Sequence, residues 1–364
     1  MMTSSFRTPG DIKQEADFIA GSDETLLVTG ANGFIGRKVV DTLAGYGFAR
    51  IRRFMRPSRD RKGGEHPSDS AKPGGVESVE GNLLSRDDCA AAVEGVSVIY
   101  HLAAATSEKS HAAAFLNSVV TTRNLMDAAL QSPTFKRFVN VSSFTVYSTA
   151  KLKRGALLDE TCDTEPMPQL RGEAYCYAKL KQEEIVRRYG LEKGLPYVIV
   201  RPGAVYGPGK AQMTGRVGVG TFGIFLHMGG SNQLPLTYVD NCADAIVLAG
   251  LRRGVEGEVF NVVDDDLPTS RQFLKLYKNH ARDFRSICMP KTASYLFCLL
   301  WEKYSRWSKG QLPPAFNRLR WASNWKGNRY TNEKLKTMLE WRPRVKPEEG
   351  LRRYFEYCRD QGGQ

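Results

Sequence analysis

Tyr175-Cys-Tyr-Ala-Lys179 sets a phenol and an ammonium four residues apart. On a helix both side chains share one face, one turn apart. A free tyrosine has a pKa near about 10 and is a poor base at neutral pH. A neighbouring ammonium stabilises the phenolate and lowers that pKa. Such a pair can move a proton to or from a carbinol oxygen while hydride moves to or from a nicotinamide ring. The spacing also arises by chance on surface helices, and Tyr177 with Lys181 repeats it two residues on. Upstream, Val141-Ser-Ser-Phe-Thr-Val-Tyr147 ends an apolar strand. A Ser143 hydroxyl at the carboxyl end of such a strand faces the crevice where ligands bind, and it can hydrogen-bond a substrate oxygen. Simple strand termination by serine is the plain alternative.

A second constellation lies near the start of the chain. Leu26-Leu-Val-Thr-Gly-Ala-Asn-Gly-Phe-Ile-Gly36 carries glycines at 30, 33 and 36. An apolar strand precedes them and a helical pattern follows, which is the context a dinucleotide-binding loop needs. Gly30 permits the tight turn, Gly33 lets the backbone approach a pyrophosphate, and Gly36 lets helix and strand pack closely. Phosphates would meet the free N–H groups at the helix N-terminus, around Asn32, Phe34 and Ile35. The second strand ends Arg53-Phe-Met-Arg-Pro-Ser-Arg59 and holds no acid to grip a ribose 2′-hydroxyl. Arg56 and Arg59 suit a 2′-phosphate instead. Arginine also stacks on adenine, so NADP is expected ahead of NAD without excluding it.

These groups need a scaffold. Strand patterns at 25–28, 50–55, 76–80, 96–102, 137–142 and 197–200 alternate with helical patterns at 34–43, 85–93, 112–130 and 174–189, the last ending near Gly190. That alternation predicts a Rossmann-type α/β fold, a doubly wound parallel sheet. Residues 57–75 read as a polar loop, and 207–236 as Gly-rich and irregular. Helical patterns return after Ser270. The expected division is a polar arm over 1–23, a nucleotide-binding domain over 24–204 plus 237–265, and a smaller, mostly helical C-terminal substrate lobe over 205–236 plus 266–364.

With 41% hydrophobic and 25% charged residues, disorder over the whole length is excluded as a class. Seven scattered cysteines without a C-x-x-C argue against a disulfide framework or structural zinc, so no metal is expected. No signal-like segment heads the chain, and no run reaches the roughly 18 apolar residues of a spanning helix. The expected location is the cytoplasm. Of the net charge of +13, the segment from Trp301 onward contributes 15 Lys/Arg against 7 Asp/Glu. A solvated basic face, an anionic membrane surface or an anionic substrate each fits that excess; no nucleic-acid-binding module is visible. Residues 293–307 are apolar and aromatic, then basic. They read as a packed helix of the lobe, a lid over an apolar substrate, or an interfacial helix making peripheral membrane contact.

The set Thr29-Gly-Ala-Asn-Gly-Phe-Ile-Gly36, His101-Leu-Ala-Ala104, Val141-Ser-Ser143 with Val146-Tyr147, Tyr175 with Lys179, and Arg201-Pro-Gly203 with Tyr206-Gly-Pro-Gly209 resembles the extended short-chain dehydrogenase/reductase family. That family is also called the NAD-dependent epimerase/dehydratase family, and the resemblance covers about residues 24–350. It implies Ser143, Tyr175 and Lys179 as the catalytic set, Lys179 being preferred to Lys181 because it follows Ala178 in a small-residue context. Pro202 and Gly203 match backbone that meets the nicotinamide amide, and Leu102, Ala103 and Ala104 match a segment lining the cofactor. Asn82-Leu83 stands where Asp-Leu usually lies beside adenine. Thr122-Arg-Asn124 fits a further motif, whose first Asn falls on Ser118. Phe144-Thr145 replaces the Asp-Glu pair of nucleotide-sugar dehydratases, so 4,6-dehydration is disfavoured. Ala204 replaces an Asn frequent in sugar epimerases. Leu236–Ala245, Trp325–Lys336 and Trp341-Arg-Pro343 look like the 3β-hydroxysteroid dehydrogenase and dihydroflavonol reductase branch. The implied activity is NAD(P)-dependent hydride transfer to or from a secondary alcohol or ketone, whether lipid-like, sterol-like or a nucleotide sugar. The alternatives are a nucleotide-sugar epimerase with tightly bound NAD and a non-enzymatic NADP sensor. A homodimer through helices 112–130 and 174–189 is also implied.

Overall fold

The computed structural model describes residues 17–57, 75–104, 106, 108–309, 311 and 315–361. The elements run β1 (Thr25–Thr29), α1 (Phe34–Gly45), β2 (Arg50–Met55), β3 (Gly75–Glu80), α2 (Arg86–Val93), β4 (Val96–His101) and α3 (His111–Phe115). A π-helical turn, Leu116–Val120, leads into α4 (Thr121–Ala129), β5 (Arg137–Val141), β6 (Leu157–Leu158), α5 (Ala174–Lys193) and β7 (Tyr197–Pro202). Then follow β8 (Ala204–Tyr206), β9 (Gly218–Thr221), β10 (Ile224–His227), β11 (Leu236–Tyr238), α6 (Val239–Leu251), β12 (Val259–Val262) and α7 (Ser270–His280). The chain closes with β13 (Ser286–Cys288), α8 (Lys291–Trp307), α9 (Arg318–Trp325), β14 (Arg329–Tyr330), α10 (Glu333–Leu339) and α11 (Pro347–Gln361).

Seven parallel strands form the main sheet in the order β12-β7-β5-β4-β1-β2-β3. The order reverses between β1 and β4, and open α/β sheets bind ligands at that switch point. β4 and β5 are buried at every position, which is why they read as almost continuous apolar runs. Successive side chains still alternate between two cores. Leu26, Val28, Val98, Tyr100, Val139 and Val200 meet α1 and α6, whereas Leu27, Ile99, Phe138 and Ile199 meet α2, α4 and α5.

Several elements differ from expectation, each for a physical reason. The helical stretch 112–130 is broken by the π turn. Helix α5 passes through Gly190 and ends at Gly194, whose positive φ caps it. A Cβ at Gly190 would lie 2.3 Å from the Tyr197 ring, so glycine serves helix–strand packing there. The segment 207–236 is not wholly irregular: β9 and β10 form a hairpin, and β13 joins it in parallel. Part of the expected polar arm is docked: Phe18 is buried against Tyr46, and the Ile19 amide donates to Leu251 O. Residues assigned to the C-terminal lobe return to the main sheet, where Leu335, Leu339 and Trp341 join the core beside β12 and α6. Residues 58–74, Arg59 among them, lie outside the described residues.

Candidate active site

The glycine loop joins β1 to α1 at the switch point. Gly30 has φ of 69°, a left-handed value that favours glycine. A Cβ on it would stand 2.9 Å from the Ala103 amide nitrogen. A Cβ on Gly36 would stand 2.1 Å from Gly30 O, so only glycine lets α1 approach the loop. Gly33 is the N-cap residue and offers no side-chain cap, leaving the first turn of α1, with Phe34 and Ile35, to use its amides elsewhere. This bare helix start beside a close-packed loop fits a dinucleotide pyrophosphate. Asn32 is exposed at its rim. Arg56 is exposed two residues beyond Phe54, which pairs with Thr29, so it stands on the same edge.

Thr29 connects this loop to the helices behind the sheet. Its hydroxyl lies 2.8 Å from His101 Nδ1 and accepts from the Ala103 amide at 3.3 Å. The other ring nitrogen, Nε2, lies 2.8 Å from the Thr122 hydroxyl. That hydroxyl donates to Ser118 O at 2.5 Å and accepts from Gln182 Nε2 at 2.8 Å. With its one proton given to Ser118, Thr122 must accept from the imidazole. His101 therefore carries its proton on Nε2, and Thr29 donates to Nδ1. Full burial holds His101 down to about 3, so the ring stays neutral.

Ser143 follows β5, its Oγ accepting from the Thr145 amide at 3.3 Å. Its side chain lies near enough to the Tyr175 hydroxyl to favour the phenolate. Lys179 is 3% exposed, and its ammonium donates to Val141 O at 2.7 Å. The structure therefore brings Ser143, Tyr175 and Lys179 to the end of β5. Lys181 instead turns outward to Glu184 at 2.6 Å, and Tyr177 packs on His111 with ring centroids 4.9 Å apart. The electrostatics differ from the simple sequence argument. Burial raises the Tyr175 phenol, and the nearby Ser143 hydroxyl offsets only part of that rise. Burial pushes Lys179 down to about 7, opposed by the charge of Glu183. A desolvated ammonium aimed at a carbonyl has not lowered the phenol in this geometry.

Glu183 is held in turn by Arg201 through two bonds of 2.9 and 2.6 Å, with both side chains buried. The guanidinium lies 4.6 Å from the Tyr147 ring centroid, and Tyr147 Oη donates to Asn261 Oδ1 at 2.7 Å. Sequence reading missed this support. Its one signal is an arginine closing the apolar strand Tyr197-Val-Ile-Val-Arg201, since a buried charge demands a partner.

The other expected cofactor contacts are dispersed around the same edge. Leu102, Ala103 and Ala104 follow β4 and are half-buried. The Gly203 amide donates to Val262 O, which fixes Pro202-Gly203 at the end of β7. Asn82 is exposed and its Oδ1 accepts from the Leu84 amide, so its side chain shapes its own turn. Asn124 holds that turn from behind by donating to Leu83 O and Leu84 O. From the lobe, Tyr330 packs on Phe144, and the buried Arg171 donates to Thr145 O and to Ser323 Oγ. Among the described residues, no group of three or more His, Cys, Asp or Glu could hold a metal ion.

Over 253 residues the chain is 26% identical to a 3beta-hydroxysteroid-dehydrogenase/decarboxylase isoform 1 of Arabidopsis thaliana, covering 66% of this chain and 56% of that protein. It is 26% identical over 252 residues to a 4-hydroxy-2-methyl-3-oxo-4-farnesyl-3,4-dihydroquinoline-1-oxide ketoreductase of Stigmatella aurantiaca, covering 69% and 71%. The chain thus spans little more than half of the first of these. Among solved structures, gox2253 superposes with a TM-score of 0.72 at 23% identity, covering 93% of this chain and 99% of that one. The UDP-glucose 4-epimerase of Thermotoga maritima, solved with UDP-glucose, gives 0.66 at 21% identity, covering 93% and 99%. Both are likenesses of fold. The model of the NAD dependent epimerase/dehydratase family matches residues 26–262, from the first strand of the sheet to the last, and the chain belongs to that family.

Proposed function

We propose that this chain transfers hydride between a bound NAD(P) and a secondary alcohol or ketone. The observation that carries the reading is the buried Lys179, its ammonium on Val141 O at the end of β5 where Ser143 follows and Tyr175 stands one turn before it on the same helix. A nicotinamide at this edge would supply or accept the hydride. In reduction, Tyr175 Oη gives its proton to the substrate oxygen, and in oxidation it takes that proton back. Ser143 Oγ bonds the same oxygen and fixes its approach. Lys179, when protonated, stabilises the phenolate left behind. Gly30, Gly33 and Gly36 hold the pyrophosphate, while Leu102–Ala104 and Pro202-Gly203 line the rest of the cofactor site.

The names of the relatives, a hydroxysteroid dehydrogenase/decarboxylase and a ketoreductase, support an apolar, lipid- or sterol-like substrate. The second reading is a nucleotide-sugar epimerase that keeps its NAD; coverage of 93% of the chain by the Thermotoga epimerase supports it. NADP is the proposed cofactor, because the stretch from Arg53 to Arg59 at the end of β2 holds Arg56 and no acid. The reading extends to a cytoplasmic homodimer through helices 112–130 and 174–189, where Phe115 and Leu116 are exposed. It also includes a peripheral membrane contact through residues 293–307.

Tyr175→Phe removes the proton donor, so turnover falls by about 10² to 10⁴ while cofactor affinity holds. Unchanged turnover would overturn the assignment. Nucleotide released on denaturing fresh protein separates the two readings, since near-stoichiometric NAD favours the epimerase. Arg56→Asp is expected to reverse a preference for NADPH over NADH in a fluorescence titration.

A further inference from the structure

Helix α8 is amphipathic in the inverted sense. A surface helix normally turns its large apolar side chains inward and its polar ones out. In α8 the buried positions are Ser294, Cys298 and Ser305. Leu296, Leu300 and Trp307 repeat that spacing two residues on, which at 3.6 residues per turn is about 200° round the helix. They are 52%, 57% and 76% exposed, and Tyr304 beside them is 53% exposed. The inward face is firmly seated. Trp321 Nε1 donates to Ser294 Oγ at 2.9 Å, and Cys298 packs with Met228 and Trp325. The outward stripe is thus a fixed surface, not a fraying end.

Charge selects the occupant. Residues 291–320 hold six Lys/Arg and one acid, Glu302, while Arg320 is paired with Glu173 at 3.1 Å. Glu302 is engaged by Arg306 and Arg318 at 2.5 and 3.0 Å. Lys303 is exposed within the stripe, and Lys309 is exposed just beyond it. A second copy of the chain would bring the same cations together and be repelled, whereas an anionic surface would neutralise them. Tryptophan and tyrosine beside lysine and arginine suit the boundary between lipid headgroups and acyl chains. No described helix is long and apolar enough to cross a membrane.

We infer that α8 lies in the plane of an anionic bilayer surface, with Leu296, Leu300, Tyr304 and Trp307 immersed and the surrounding cations on lipid headgroups. The inference specifies the proposed contact through 293–307 and is independent of the hydride chemistry. The test is sedimentation of the full chain with vesicles of phosphatidylcholine alone or with one-quarter phosphatidylglycerol. Binding is expected on the anionic vesicles, at least tenfold weaker on the neutral ones, and reduced by salt. Leu300→Glu with Trp307→Glu changes two exposed residues, so the fold and cofactor binding should hold while vesicle binding falls at least tenfold. Tyr175→Phe should bind vesicles as the parent does, which separates failure of this inference from failure of the catalytic reading. No binding, equal binding to both vesicles, or binding that the double variant retains would overturn it. So would a solution dimer that the double variant dissolves, since the stripe would then be a subunit interface.

Discussion

Two tyrosine–lysine pairs share helix α5, and an offset of two residues decides which lysine faces the sheet. Lys179 lies against β5 and Lys181 reaches solvent. The spacing was legible in the sequence; the direction of each side chain was not, because it depends on how α5 rolls on the sheet. Burial of Lys179 has a pH signature. Its pKa is lowered from 10.5 to about 7. Between those values the unfolded chain holds a proton that the folded chain lacks, so this lysine makes stability rise with pH across the window and fall as pH drops toward 7. Urea midpoints measured from pH 7 to 10 should rise more steeply for the parent than for Lys179→Met. Parallel slopes would show the lysine to be solvated. For catalysis, ketone reduction is expected to decline as pH rises through about 7, where Lys179 loses the charge that stabilises a phenolate.

At the scale of elements, the loop between β1 and α1 was readable because backbone geometry itself demanded particular residues. Gly36→Ala tests that demand. Its Cβ would meet Gly30 O at 2.1 Å, and a backbone atom cannot swing aside as a side chain can. The variant should lose about 1–3 kcal/mol of stability by overpacking, with NAD(P) affinity falling more than tenfold in a fluorescence titration. Gly215→Ala, with nothing within 4 Å of the added carbon, should change neither. Other elements left no periodic trace. Strands β9, β10 and β13 have four, four and three residues. Three or four residues are too few for alternation to emerge, and glycine fills half of β9. The π turn between α3 and α4 keeps the apolar spacing of an ordinary helix, so nothing local marked it.

For the whole molecule, the informative departure is the return of the C-terminal chain to the sheet. Trp341 is fully buried in the core that α6 shares with the sheet, and its Nε1 donates to Asn241 O at 3.3 Å. Arg252 reaches Glu340 at 2.8 Å, and Asn241 exchanges hydrogen bonds with the Val345 backbone. The nucleotide-binding half is thus completed by residues more than 300 positions after its first strand. A sequence pass divides a chain into consecutive blocks and has no means to see such a closure. Trp341→Ala should cost about 3–5 kcal/mol, read as a lower urea midpoint in one cooperative transition. An early separate transition of the C-terminal helices would mean that they fold as their own unit.

The hydrogen bonds of Thr29 also define what the segment after β4 can offer a ligand. The Leu102 amide donates to Thr29 O at 3.2 Å and the Ala103 amide to Thr29 Oγ1 at 3.3 Å. Both of these donors are spent inside the protein, so at Leu102 and Ala103 the backbone offers a ligand only its carbonyl oxygens. Hydroxyls and C–H edges can settle against these two residues; phosphate and carbonyl oxygens find no amide free at either and are better served at the start of α1. A single threonine therefore gives the crevice a polarity, with open donors at the helix start and two occupied ones across from it, before any substrate enters.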